Sequence, residues 1–127
     1  MTEKTISESI DLFINSVKLA RSLHTTRTYA NALKYFKEVL QENHMPPDST
    51  GISALSEDSV VFLTNGLKYH AATTERLYLT ATARFFEFLA AERLSEINLP
   101  RVRLLIQQRA RKPGQRLPQF PASQIDL

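Results

Sequence analysis

Apolar residues recur along this chain at three- and four-residue steps, the period of one buried helix face. Ile6, Ile10, Phe13, Ile14 and Val17 form a first stripe and predict a helix from about Ile6 to Arg21. Thr5 and Glu8 have the spacing of a capping box, in which each side chain accepts from the other's backbone N–H. A second helix is predicted from about Leu23 to Asn43, with Tyr29, Leu33, Phe36, Val39 and Leu40 on its buried stripe and Lys34 and Lys37 off it. Ser22 is placed as its N-cap. His44-Met45-Pro46-Pro47 ends it, because proline lacks an N–H and disfavours helix in the residue before it.

After a loop from Pro46 to Leu55, Ser56 offers another N-cap, and Glu57 and Asp58 suit the positive end of a helix dipole. This third helix is expected to reach about Tyr69, with Val60, Val61, Leu63 and Leu67 apolar. A fourth is expected from about Thr74 to Arg93, capped by Thr73 or Ala72. Its stripe is Leu77, Ala81, Phe85, Phe88 and Leu89, widened by Phe86, so it should pack on more than one side. Asn98-Leu99-Pro100 opens a short fifth helix carrying Val102, Leu105 and Ile106. No strand pattern or internal repeat stands out. The prediction is an all-α fold, an orthogonal bundle of four main helices plus a short C-terminal fifth. Past Arg109 the prolines and glycine of Arg111-Lys112-Pro113-Gly114-Gln115-Arg116-Leu117-Pro118 read as an extended linker. Pro121 to Leu127 reads as the opening of another element. The chain therefore divides into a helical domain, 1–112, and a tail, 113–127.

Composition narrows the functional classes. The 127 residues, 43% of them hydrophobic, suffice for one modest core. The absence of cysteine excludes disulfides and thiol chemistry. No apolar run is long enough for a membrane span. Met1 to Glu8 lacks a signal peptide's apolar stretch, so the cytoplasm is the expected compartment. His24, His44 and His70 show no metal-ligand spacing, and Gly51, Gly66 and Gly114 make no phosphate loop. No nucleophile elbow occurs, and no catalytic residue, metal or cofactor is assigned.

The formal net charge is only +3, but its distribution is uneven. No acid lies between Leu12 and Lys37 or between Asn98 and Ile125, while cations recur in both stretches. Such segregation suits a polyanion partner. Helix starts carry unpaired N–H donors and partial positive charge, which favour phosphate oxygens. The first candidate is Ser22, His24, Thr25, Thr26 and Arg27 at the start of the second helix, with Lys34 further along. A second is Thr73 and Thr74 at the start of the fourth helix, where Arg76, Thr80 and Arg84 follow at four-residue steps. The basic stretch near the C-terminus adds Arg101, Arg103, Arg109 and Arg111. Phosphate contacts position a protein, whereas base edges need longer side chains such as Arg27, Arg76, Thr80 and Arg84. On these residues alone, ordinary helix capping is the simpler account of the serines and threonines.

Two motifs carry a resemblance. Ser22, Thr25, Tyr29, Leu33 and Phe36 stand at the spacing Ser-x-x-Thr-x-x-x-Tyr-x-x-x-Leu-x-x-Phe. Leu79-Thr80-Ala81-Thr82-Ala83-Arg84-Phe85-Phe86-Glu87-Phe88-Leu89 is followed by Glu92-Arg93-Leu94 and Asn98-Leu99-Pro100. Together they resemble the core-binding, SAM-like N-terminal domain of tyrosine recombinases and phage integrases. Two departures stand out: Arg84 lies one place later than the family's arginine, which falls at Ala83, and Leu99 is inserted into the Asn-Pro turn. The resemblance implies a two-domain enzyme that closes as a C-shaped clamp on double-stranded DNA at a recombination site. This domain's second and fourth helices would face the major groove. A C-terminal catalytic domain, to which Leu117-Pro118 onward resembles a lead-in, would supply an Arg-His-Arg set and a tyrosine nucleophile. Other recombinase protomers on the DNA are implied partners; a membrane is not. The alternative is a SAM-like protein-interaction module that binds no nucleic acid. A stand-alone helix-turn-helix regulator ranks last, because the Pro46-Pro47 loop is too long for that motif's turn.

Overall fold

A computed structural model describes residues 3–111; the expected linker and the element after it lie outside these residues. Five helices follow one another: α1 (Ile6–Ala20), α2 (Leu23–Glu42), α3 (Ser59–Gly66), α4 (Ala72–Ala91) and α5 (Leu99–Arg109). A 3-10 turn, Ile52–Ala54, interrupts the α2–α3 connection. Among the described residues there is no strand, only an isolated bridge between Thr5 and Gly51.

The chain's punctuation sets the helix limits. The Thr5–Glu8 capping box forms in full at α1. Ser22 caps α2 and Asn98 caps α5, each side chain accepting an N–H in the first turn. The C-termini of α2 and α4 close alike. The Met45 N–H donates to Leu40 O and the Leu94 N–H to Leu89 O, while His44 and Arg93 take positive φ of 65° and 56°. These are Schellman caps, with a non-glycine residue in the left-handed position that glycine usually fills.

Two helix starts differ from expectation. α3 begins at Ser59 rather than after Ser56, because the Ser56 hydroxyl and carbonyl hold a separate turn, accepting from Asp58 N–H and Ser59 N–H. It also ends at Gly66, short of Tyr69. α4 begins at Ala72, and its cap, Ala71, offers no side-chain acceptor; Thr73 and Thr74 lie inside the first turn. Leu77, expected in the core, is 49% exposed. Leu79 is buried in its place, and Phe88 is half-buried.

The core forms where α1, α2 and α4 meet. Leu33, Phe36, Leu40, Phe85, Phe86 and Leu89 are fully buried. Phe13 of α1 packs on Tyr29, Phe85 and Phe88, with ring centroids 6.1, 5.6 and 5.5 Å away. The direction of packing follows from two contacts. Tyr29, near the α2 start, shares a groove with Arg84 and Phe88 in the second half of α4. Tyr35, further along α2, lies 5.7 Å from Tyr78 in the first half of α4. α2 and α4 therefore run in opposite senses. α3 and α5 complete the core with Val60, Leu63, Val102 and Leu105.

Two features generate stability predictions. Thr82 Oγ1 is buried in α4 without a hydrogen-bond partner. An unpaired buried hydroxyl is unfavourable, so Thr82→Val should raise unfolding free energy by about 1 kcal/mol. Arg93→Gly should gain roughly 0.5 kcal/mol, the relief of a left-handed residue minus glycine's extra chain entropy. Urea denaturation of each variant measures both effects, and a loss of stability in either contradicts the assignment behind it.

Candidate nucleic-acid interface

At the α2 start, local bonds consume several of the hydroxyls that the sequence put forward. Ser22 Oγ accepts from Thr25 N–H at 3.1 Å and donates to Thr25 Oγ1 at 3.1 Å. Thr26 is buried, and its hydroxyl donates to Ser22 O at 2.9 Å. His24 and Arg27 are exposed, Thr25 is half-buried, and the first turn of α2 contains no acid. The N–H groups of a helix's first residues have no acceptor within the helix. What faces solvent here is therefore His24, Arg27 and the N–H groups that Ser22 does not hold, beside an exposed Leu23.

Arg76, Thr80 and Arg84 are all exposed on α4. They line one open groove with Ile106 of α5 and Ala110, which caps its end. Four-residue steps keep them on one side of the helix, and Arg76 and Arg84 stand about 12 Å apart along its axis. The Arg84 guanidinium donates to Glu87 at 3.0 Å. That hydrogen bond and the charge of Glu87 raise the pKa of Arg84 further above its ordinary value, so it is a permanent cation. Arg84 also lines a second groove, with Arg21 and Tyr29. It therefore joins the α4 flank to the α2 start, a consequence of the opposed packing.

Other candidates do not gather there. Thr73 and Thr74 belong to the α4 start, which opposed packing puts at the far end of the pair, so the two helix starts do not form one twin site. There, Glu75 occupies the first turn and Arg111 Nε donates to it at 2.9 Å. Lys34 lines a groove with Ile10, Ile14 and Lys37, on the α1 side of α2. Arg101 pairs with Asp58 at 2.6 Å and Glu57 at 3.6 Å, and Glu57 also accepts the Asn98 N–H at 2.8 Å. Glu57 and Asp58 thus fasten the start of α5. Arg103 is exposed on α5, and Arg109 faces a groove shared with Thr64 and Lys68.

Arg21, Tyr29 and Glu87 were not among the interface candidates drawn from the sequence, which placed Tyr29 on the buried stripe of the second helix. Glu87 had a readable signal, three residues after Arg84. Arg21 and Tyr29 depend on how α1, α2 and α4 meet. Among the described residues, no three histidines or acids gather as a metal site, and no helix is long and apolar enough to cross a membrane.

The described residues form an all-α bundle with an acid-free helix start beside an arginine-bearing flank. The sequence model of the phage integrase N-terminal SAM-like domain matches residues 10–93, from within α1 through the end of α4. The chain belongs to that family. No match is found among curated proteins or solved structures. Ser22 to Phe36 and Leu79 to Leu89, which carried the resemblance, lie within the matched span, whereas Leu94, the Asn98-Leu99-Pro100 turn and α5 lie beyond it.

The capping geometry makes a contrast between two candidate residues. Ser22→Ala removes a side-chain cap and should cost about 1 kcal/mol. Thr73→Ala removes none and should stay within about 0.5 kcal/mol of the parent. Thermal or urea unfolding of the two variants decides the point, and equal effects would contradict the cap assignment.

Proposed function

We propose that this domain grips double-stranded DNA as the N-terminal part of a site-specific tyrosine recombinase. Its partners are the recombination site, a catalytic domain following in the same chain, and further protomers on the same DNA, all in the cytoplasm. The observation that carries the reading is the position of Arg84 beside the acid-free α2 start, within a domain of the integrase family. Arg27, His24, Thr25 and the first-turn N–H groups that Ser22 leaves free meet phosphate oxygens. Arg76, Thr80 and Arg84 follow along the α4 flank, with Arg103 on α5 as an outlying cation. Of these, the arginines have the reach and the paired donors for guanine edges. Lys34, Thr73, Thr74, Arg101, Arg109 and Arg111 are peripheral or engaged within the fold. The fragment binds; the breaking and rejoining of strands belongs to the catalytic domain.

One observation favours a second reading. Leu19 and Leu23, at the α1–α2 corner, are 90% and 62% exposed. Apolar side chains there suit a protein partner, and a SAM-like interaction module would cover the α2 start instead of leaving it to DNA.

Fluorescence anisotropy with a labelled duplex separates the readings. Binding by the isolated domain is expected to be roughly micromolar or weaker at physiological salt and to weaken steeply as salt rises. Arg27→Ala and Arg84→Ala should each reduce affinity about threefold to tenfold, and each lost phosphate contact should flatten the salt slope by roughly 0.9. Lys34→Ala should leave both affinity and slope unchanged. Wild-type binding that neither arginine variant weakens removes this surface from the DNA contact. No binding at any salt favours the protein-interaction reading.

A further inference from the structure

The final turn of α5 is held by a charged pair that the proposed DNA contact does not use. Glu75 lies in the first turn of α4, its side chain 5% exposed, and Arg111 follows α5 with its side chain 14% exposed. The Arg111 backbone N–H donates to Glu75 Oε1 at 3.3 Å, and Arg111 Nε donates to the same oxygen at 2.9 Å. Arg111 Nη2 donates to the His70 carbonyl, just before α4 begins. One arginine thus binds both sides of the α4 start.

We propose that Arg111 is a positioning residue. Through Glu75 and the His70 carbonyl it locks the end of α5 to the start of α4, and so fixes where and in which direction the chain leaves the helical domain.

Three features support this role over a phosphate contact. The guanidinium faces its own carboxylate, so little net charge is left for a polyanion. Its donors are directional and already engaged within the fold, and arginine's planar fork suits such two-sided binding. The pair also separates two surface grooves: Glu75 and Arg111 line both the one along the α4 flank and the one facing Thr64 of α3 and Lys68 just after it. Desolvating two charges is unfavourable in itself, and a partner removed leaves the other buried and uncompensated. A buried pair of this kind adds little stability over apolar packing, but it defines one arrangement of the elements it joins.

The test has two arms, both on the whole chain. Amide hydrogen exchange is followed in Arg111→Gln and Glu75→Gln. Exchange at Leu105 to Ala110 should rise about tenfold or more in either variant, while the buried α1–α2–α4 seam stays protected. Should a single variant fail to fold, Arg111→Lys keeps a charge for Glu75 but not the planar fork that also reaches the His70 carbonyl, and a local rise at the α5 end is expected in it. Unchanged exchange at the α5 end overturns the proposal. In the second arm, which rests on the proposed DNA binding, Arg111→Gln should keep the parent's salt slope for duplex. A slope flatter by roughly 0.9 makes Arg111 a phosphate contact and overturns its role as a tie. A parent chain that binds no duplex contradicts the proposed function alone, and the exchange arm still decides the role of Arg111.

Discussion

The opposed packing of α2 on α4 is the constraint on which the rest of the structure depends. Leu33 and Phe36 from one helix, and Phe85, Phe86 and Leu89 from the other, are all fully buried. Phe13 of α1 seals the end of this seam against Tyr29 and Phe88. A seam of large side chains leaves little freedom for the helices to slide, because interiors are packed nearly as densely as organic crystals. Its direction then determines the surface. The second half of α4 comes beside the α2 start, which places Arg84 with Arg21 and Tyr29. The same direction sends the α4 start to the other end, where Glu75 and Arg111 occupy it.

Charge is used in two ways in this domain. Arg101 and Arg111 face acids of their own chain and join elements distant in sequence, α5 to the α3 approach and α5 to the α4 start. His24 and Arg27 stand exposed on an acid-free helix start, and Arg76 and Arg84 are exposed on the α4 flank. A net charge of +3 conceals this division. Long-range attraction of a polyanion depends on cations not neutralised by close neighbours, and salt screens it over roughly 10 Å at 0.1 M. Arg27 and Arg76 meet that condition best; Arg84 is itself paired with Glu87 at 3.0 Å, though at an exposed position, while Arg101 and Arg111 are held by acids of other elements.

Much of the fold was legible because helix period and capping act locally. The Thr5–Glu8 box, the Ser22 cap, the helix start at Asn98-Leu99-Pro100 and the stripes of α1 and α2 could be read from short windows and are present in the structure. The family was legible too, since Ser22 to Phe36 and Leu79 to Leu89 lie within the matched span. The misplaced starts of α3 and α4 have local causes of another kind. Ser56 serves a preceding turn, and α4 begins on alanines with no capping side chain to mark the place. Leu77 is apolar yet exposed, which only tertiary packing decides. The surface was the least legible part, because a list of cations does not say which of them face an acid. Glu57 and Asp58 looked like partners of their own helix, yet they hold Arg101 and the Asn98 N–H from another. The separation of the two helix starts likewise follows from packing direction, which no short window contains.

The most direct measurement of the central claim is a titration of the 15N-labelled chain with a short duplex, followed amide by amide. The account predicts salt-sensitive shifts concentrated at Ser22 to Arg27 and along Arg76 to Arg84, with the Lys34 side and the α4 start quiet. Shifts confined to those quiet regions, or spread evenly over the surface, would contradict it.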